Sequence, residues 1–171
     1  HLSRAADPLR FNDDARVFLG GLEPHLEAAG NGIREDLRPN LREPARFIAF
    51  EDFGTTGLIG DPLQWHRVEG RQNGFFAFFR AEGENAKSED GRRGRWGIGK
   101  FVFPRASYGS AFIGWTIRED VDRSLLLGRC ILKSHETDVG IHVPDGYFGE
   151  RRQIAGGQIT APVEDADLVD A

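Results

Sequence analysis

The spacing of hydrophobic and polar positions changes character along this chain, and the clearest pattern lies in its second half. Phe112–Ile113–Gly114–Trp115–Thr116–Ile117 is followed by a polar turn through Glu119, Asp120 and Asp122, then by an apolar run from Leu125 to Leu132. Two apolar runs about a short acidic turn predict a β-hairpin. Gly140–Ile141–His142–Val143 predicts a further short strand, closed by Pro144–Asp145–Gly146. Upstream, Arg46–Phe47–Ile48–Ala49–Phe50–Glu51 alternates as a strand does and delivers Asp52 and Gly54 at its C-terminal end. His1–Leu2–Ser3 reads as the tail of another strand.

Helical signals are shorter. Asn12 predicts a cap for a helix through Asp13, Asp14, Ala15, Val17, Phe18 and Leu19, with acidic residues suited to its first turn. Gly20–Gly21 and Pro24 interrupt it before Leu26–Ala29, and Gly30–Asn31–Gly32 ends the unit. Residues 33–44, charged and carrying Pro39 and Pro44, predict a surface connection or short helix. The aromatic stretch Gly74–Phe75–Phe76–Ala77–Phe78–Phe79–Arg80 predicts a short helix, with its rings buried. A further helix is expected to start at Phe101–Val102–Phe103, with Pro104 tolerated in the first turn. Helices grouped around antiparallel strands predict an α+β fold rather than a doubly wound sheet.

Composition narrows the class. A length of 171 residues suits one domain with a sizeable core, and 39% apolar with 29% charged residues is ordinary for a globular chain. No apolar run approaches the roughly 20 residues that span a bilayer, and the N-terminus carries no secretory apolar region, so a cytoplasmic protein is expected. A net charge of −5 argues against a whole-surface nucleic-acid binder. The charge is uneven, with Lys87, Arg92, Arg93, Arg95 and Lys100 in a basic stretch and Glu164, Asp165, Asp167 and Asp170 in an acidic tail. The single cysteine, Cys130, excludes an internal disulfide, and Ile131–Leu132 beside it predict a buried strand position. The strand-like start, the helix-like opening at Asp167–Ala171 and the lack of methionine lead us to expect a fragment of a longer protein.

The candidate chemistry sits in two glycine-rich segments about forty positions apart, Asp52–Phe53–Gly54–Thr55–Thr56–Gly57 and Gly94–Arg95–Trp96–Gly97–Ile98–Gly99–Lys100. Glycine lets a backbone take positive φ and approach a ligand closely, and the amides so exposed can cradle phosphate. Gly94 to Lys100 satisfies the G-x-x-x-x-G-K spacing of a P-loop, but Phe101 stands where the magnesium-binding hydroxyl belongs and no buried strand precedes it. Neither segment has the G-x-G-x-x-G spacing of a dinucleotide fold. His25, His66, His135 and His142 form no H-E-x-x-H pair, and Ser110 lacks a nucleophile-elbow context. Glu51 and Asp52 point to opposite sides of a strand, so they make no acid/base pair.

Taken together, the two segments resemble those of the GHKL superfamily of ATPases, which includes the ninety-kilodalton heat-shock chaperone, DNA gyrase B, MutL, the MORC proteins and sensor histidine kinases. Asp52, Gly54 and Gly57 resemble the family's D-x-G-x-G box with one extra residue at Thr55–Thr56. Gly94, Gly97 and Gly99 match its G-x-x-G-x-G box. The resemblance implies a two-layer sandwich of one mostly antiparallel or mixed sheet, with helices on one face and a lid over an ATP pocket. Residues 1–171 would be a single, partial domain, and residues 58–95 the lid-like insertion. It implies that Asp52 accepts a hydrogen bond from the adenine amino group, helped by Thr55 or Thr56, while Gly54 and Gly57 let the chain pass close to the base. The backbone of Trp96, Gly97, Ile98, Gly99 and Lys100 would bind phosphate, with Lys100 adding charge. The ligands implied are ATP or ADP with Mg²⁺, the partners other domains of the longer protein and a second copy in a homodimer, with slow hydrolysis coupled to lid closure or dimerisation.

Family ATPases carry E-x-x-x-N on a helix upstream of the first box, the Glu activating water and the Asn holding Mg²⁺. Glu27 and Asn31 have that spacing, yet Gly30 and Gly32 flank the Asn, and the helix is expected to lie before His1 instead. The competing expectation is a non-catalytic interaction module, or a degenerate relative that no longer binds nucleotide.

Overall fold

The computed structural model describes residues 2–4, 20–39, 48–81, 101–121 and 123–164. The helix expected over 12–19 lies outside the described residues. At the centre stands the hairpin of β3 (Ala111–Arg118) and β4 (Arg123–Ile131), antiparallel in register from Ala111↔Cys130 to Arg118↔Arg123. The far edge of β4 is shared by two strands placed end to end. β10 (Val163–Glu164) pairs with Leu125 and Leu126, and β7 (Asp145–Phe148) pairs with Gly128 to Ile131. β4 reads as a continuous apolar run because it is covered on both faces, Leu125 to Cys130 all being buried. Edge strand β3 alternates instead, with Ile113, Trp115 and Ile117 exposed and Thr116 and Arg118 buried.

Two short helices cover the Phe112 face of this sheet. Helix α2 (Gly74–Phe79) starts at Asn73, whose side chain accepts the Phe76 N–H at 2.8 Å. Phe75 and Phe79 are fully buried and form the core with Leu125 and Leu127, with Leu58, Phe78, Phe112 and Tyr147 packed around them. Burying each such ring contributes about 1.5–3 kcal/mol. Gly114 is what lets Phe79 lie on the sheet, for a Cβ there would stand 2.5 Å from the ring. Helix α3 (Val102–Ala106) adds Phe103, whose ring centroid is 5.7 Å from that of Phe112.

The remaining elements are two-stranded. β1 (Leu2–Arg4) pairs with β2 (Ile48–Phe50), β5 (His135–Thr137) with β6 (Gly140–His142), and β8 (Glu150–Ile154) with β9 (Gly157–Ala161), all antiparallel. Helix α1 (Glu23–Glu27), with Pro24 in its first turn, packs on β5. The arrangement is therefore α+β, with antiparallel sheets and a few short helices. No helix among the described residues is long and apolar enough to cross a membrane.

Two departures from expectation are physical in origin. Pro144–Asp145–Gly146, expected only to close a strand, leads directly into strand β7 at Asp145, which meets the buried Arg129 at 2.6 Å. Within the 58–95 segment expected as a lid, the described residues 58–81 supply Leu58, Phe75, Phe78 and Phe79 to the core. Arg80 ties that stretch down further, donating to the carbonyls of Pro62, Gln64 and Thr160 at 2.8 Å each.

Candidate functional site

The first glycine segment leaves β2 and runs to the C-terminal end of β3. Asp52, Gly54, Thr55 and Thr56 are exposed, and Gly54 and Gly57 both take positive φ, 73° and 72°. The two glycines differ in surroundings. A Cβ at Gly54 would meet nothing within 4 Å, whereas one at Gly57 would stand 2.1 Å from the Ile117 carbonyl oxygen. The Thr56 carbonyl accepts the Glu119 N–H at 3.2 Å, and the Leu58 N–H donates to the Thr116 hydroxyl at 2.9 Å. The segment is thus pinned at Gly57 and open from Asp52 to Thr55. Gly57 meets protein backbone there, while Asp52 and Gly54 keep one side free.

The second segment, with Gly94, Trp96, Gly97, Ile98, Gly99 and Lys100, lies outside the described residues. Its C-terminal flank does not. Helix α3 begins at Val102, as expected of a helix following that segment, and Phe103 meets Phe50 edge-on with centroids 5.5 Å apart. Phe50 precedes Asp52 by two positions and Phe103 follows Lys100 by three. The strand entering the first segment and the helix leaving the second are therefore neighbours.

Glu27 and Asn31 do not form a metal-binding pair. Asn31 is almost completely buried, its Nδ2 donating to the carbonyls of His25 and Leu26 at 2.9 and 2.8 Å and its Oδ1 accepting the Ile33 N–H at 2.9 Å. That amide closes the C-terminal end of α1, where Gly30 and Gly32 carry φ of 74° and 90°. Glu27 is exposed. Asn31 is a structural cap, its amide committed to α1 and to Ile33.

Three histidines that share no sequence motif form a cluster. His25 comes from α1, while His135 and His142 face each other across β5 and β6. His25 Nδ1 lies 2.8 Å from His135 Nε2, and the His25 ring meets His142 edge-on at 4.5 Å. His135 and His142 stack at 5.4 Å. His135 Nδ1 sits 2.8 Å from the Lys133 carbonyl, and His142 Nε2 sits 2.8 Å from the Thr137 hydroxyl. Burial, then the neighbouring His142 and His135, lower the pKa of His25 from its ordinary value. The signal available in sequence was the pair His135 and His142 flanking a Thr–Asp–Val–Gly turn, which a hairpin brings face to face. His25 and His135 are bonded to each other and His142 to Thr137, and among the described residues no group of three or more His, Cys, Asp or Glu side chains is placed to hold a metal ion.

An open depression of about 390 Å³ is lined by Pro62, Arg118, Val121, Arg123, Leu125 and Glu164. Its arginines are paired with carboxylates, Arg118 with Asp120 at 2.6 Å and Arg123 with Glu164 at 2.9 Å. Asp52 is not among its lining residues.

No family model, curated protein or solved structure matches the chain.

Proposed function

We propose that this chain binds ATP with Mg²⁺ in the manner its two glycine segments suggest, as a nucleotide-binding domain of GHKL type within a two-layer sandwich. The observation that carries the reading is the Phe50–Phe103 contact at 5.5 Å, which joins the flanks of two segments about forty positions apart. Asp52, exposed and following β2, is the adenine reader, and Gly54, with open space beside it, allows the base to approach. Thr55 and Thr56 stand beside them, and Trp96 to Lys100 are the phosphate side on sequence alone. Of the 58–95 segment expected as a lid, Leu58, Phe75, Phe78 and Phe79 belong to the core. The chain's own part is binding. Hydrolysis, coupled to closure or dimerisation, would need a Glu and an Asn that Glu27 and Asn31 do not supply.

One observation favours a second reading, a module whose glycines serve packing. The contact of Gly57 with Ile117 accounts for that glycine without any ligand. Isothermal titration separates the two. ATP is expected to bind, GTP to bind more weakly because guanine presents an oxygen where adenine presents an amino group, and Asp52→Ala to lose about 10–100-fold in affinity for ATP, the worth of a charge-assisted hydrogen bond. An Asp52→Ala affinity equal to that of the wild type would remove Asp52 from the site.

A further inference from the structure

We propose that His25, His135 and His142 form a pH-sensitive latch, which holds helix α1 against the β5–β6 hairpin at neutral pH and releases it on acidification. This stands apart from the nucleotide reading and survives its failure. The bonding pattern fixes the protons. A carbonyl can only accept, so His135 Nδ1 carries a hydrogen toward the Lys133 oxygen. In the neutral ring His135 Nε2 is then the acceptor, and the hydrogen between the two rings comes from His25 Nδ1. The gap of 2.8 Å holds one proton between the facing nitrogens and not two. Protonating both rings would set two N–H groups head-on and bring two positive charges together, with the His142 ring 4.5 Å away from His25.

Among the described residues little nearby offsets that charge. On α1 the other ionisable groups are Glu23 and Glu27, each two positions from His25 and so on the far side of the helix. On the hairpin Glu136 is exposed and alternates away from His135, and Asp138 is exposed in the turn. Ahead of the hairpin the Lys133 stem packs against Gly32, and Arg38 donates to the Glu27 carbonyl, so the nearest cations add no relief. The lowered pKa of His25 has the same sources, burial first, then His142 and His135.

The sign follows. A base held neutral in the fold binds fewer protons than in the unfolded chain, so its contribution is present above about pH 6.5 and fades as pH falls below it. Release has a built-in range. The Lys133 N–H holds the Asn31 carbonyl at 2.7 Å, and for α1 to swing about Gly30 and Gly32 the Asn31 amide must also let go of the His25 and Leu26 carbonyls. Leu26, the buried residue of α1, would be uncovered.

The test is thermal unfolding of wild type and His135→Gln at pH 7.5 and pH 5.0, with the imidazole C–H resonances of the wild type titrated in parallel. Between the two pH values the wild type is expected to lose about 2–4 °C more in Tm than the variant. The His25 resonance should titrate below about pH 6.5, with the backbone amides of α1 shifting at the same midpoint. A His25 resonance titrating at or above about pH 6.5, or α1 amides that do not move with it, would overturn the latch even if the variant fails to fold.

Discussion

At the scale of single residues, the same glycine-rich segment contains two glycines with opposite physical reasons. Gly54 and Gly57 share a left-handed backbone, which costs another residue about 1–2 kcal/mol. Only Gly57 also faces backbone, with the Ile117 oxygen where a Cβ would go. Gly54→Ala is therefore expected to cost about 1–2 kcal/mol in urea unfolding, and Gly57→Ala at least about 1 kcal/mol more. Equal losses would show that the segment is not docked on β3. Cys130 makes a second residue-scale case. Burial, with the nearby Asp145 carboxylate, pushes its thiol up to about 12. The native thiol should resist alkylation at pH 8 and react fully in denaturant, and rapid native labelling would contradict its placement. Because the unfolded thiol ionises first, this contribution is present below about pH 8.5 and is lost as pH rises above it.

At the scale of elements, the sequence was legible where local pattern and tertiary role agree. The β3–β4 hairpin, the aromatic helix α2, the start of α3 and the buried Cys130 all follow from apolar runs, turn residues and proline placement. Strands β7, β8 and β9 were not legible. Arg151–Arg152–Gln153 carries no strand-like apolar alternation, and its pairing with Gln158 to Thr160 comes from the hairpin around Gly156 and Gly157. β7 depends on a partner far away in sequence. Arg129, almost wholly buried, donates to Asp145 at 2.6 Å and to the Phe79 carbonyl at 2.8 Å, with its guanidinium 5.6 Å from the Tyr147 ring. That one side chain joins β4, β7 and the end of α2. Asp145→Asn is expected to cost about 2–3 kcal/mol, less than the roughly 3–5 kcal/mol of a fully buried pair because Asp145 keeps some water. A loss under about 0.5 kcal/mol in chemical unfolding would place this pair with ordinary surface ion pairs.

At the scale of the whole molecule, the candidate site was only partly legible. The left-handed turns at Gly54 and Gly57 after β2 could be read from residue type and spacing. That Gly57 packs on β3, that Asn31 is a cap and that three histidines meet could not, because each depends on contacts between distant segments. The same contacts divide the chain's roles. The core of Phe75, Phe79, Leu125 and Leu127 sets a rigid floor, and the first glycine segment crosses its edge with Asp52 exposed. The Phe50–Phe103 contact then relates that segment to the flank of the second. A ligand that binds only the folded chain raises its melting temperature by mass action. The most direct measurement is thermal unfolding with and without MgATP. At a concentration about tenfold above Kd, a rise of about 3–6 °C is predicted, with a smaller rise for MgGTP. No rise with millimolar MgATP or MgADP would contradict nucleotide binding by this chain.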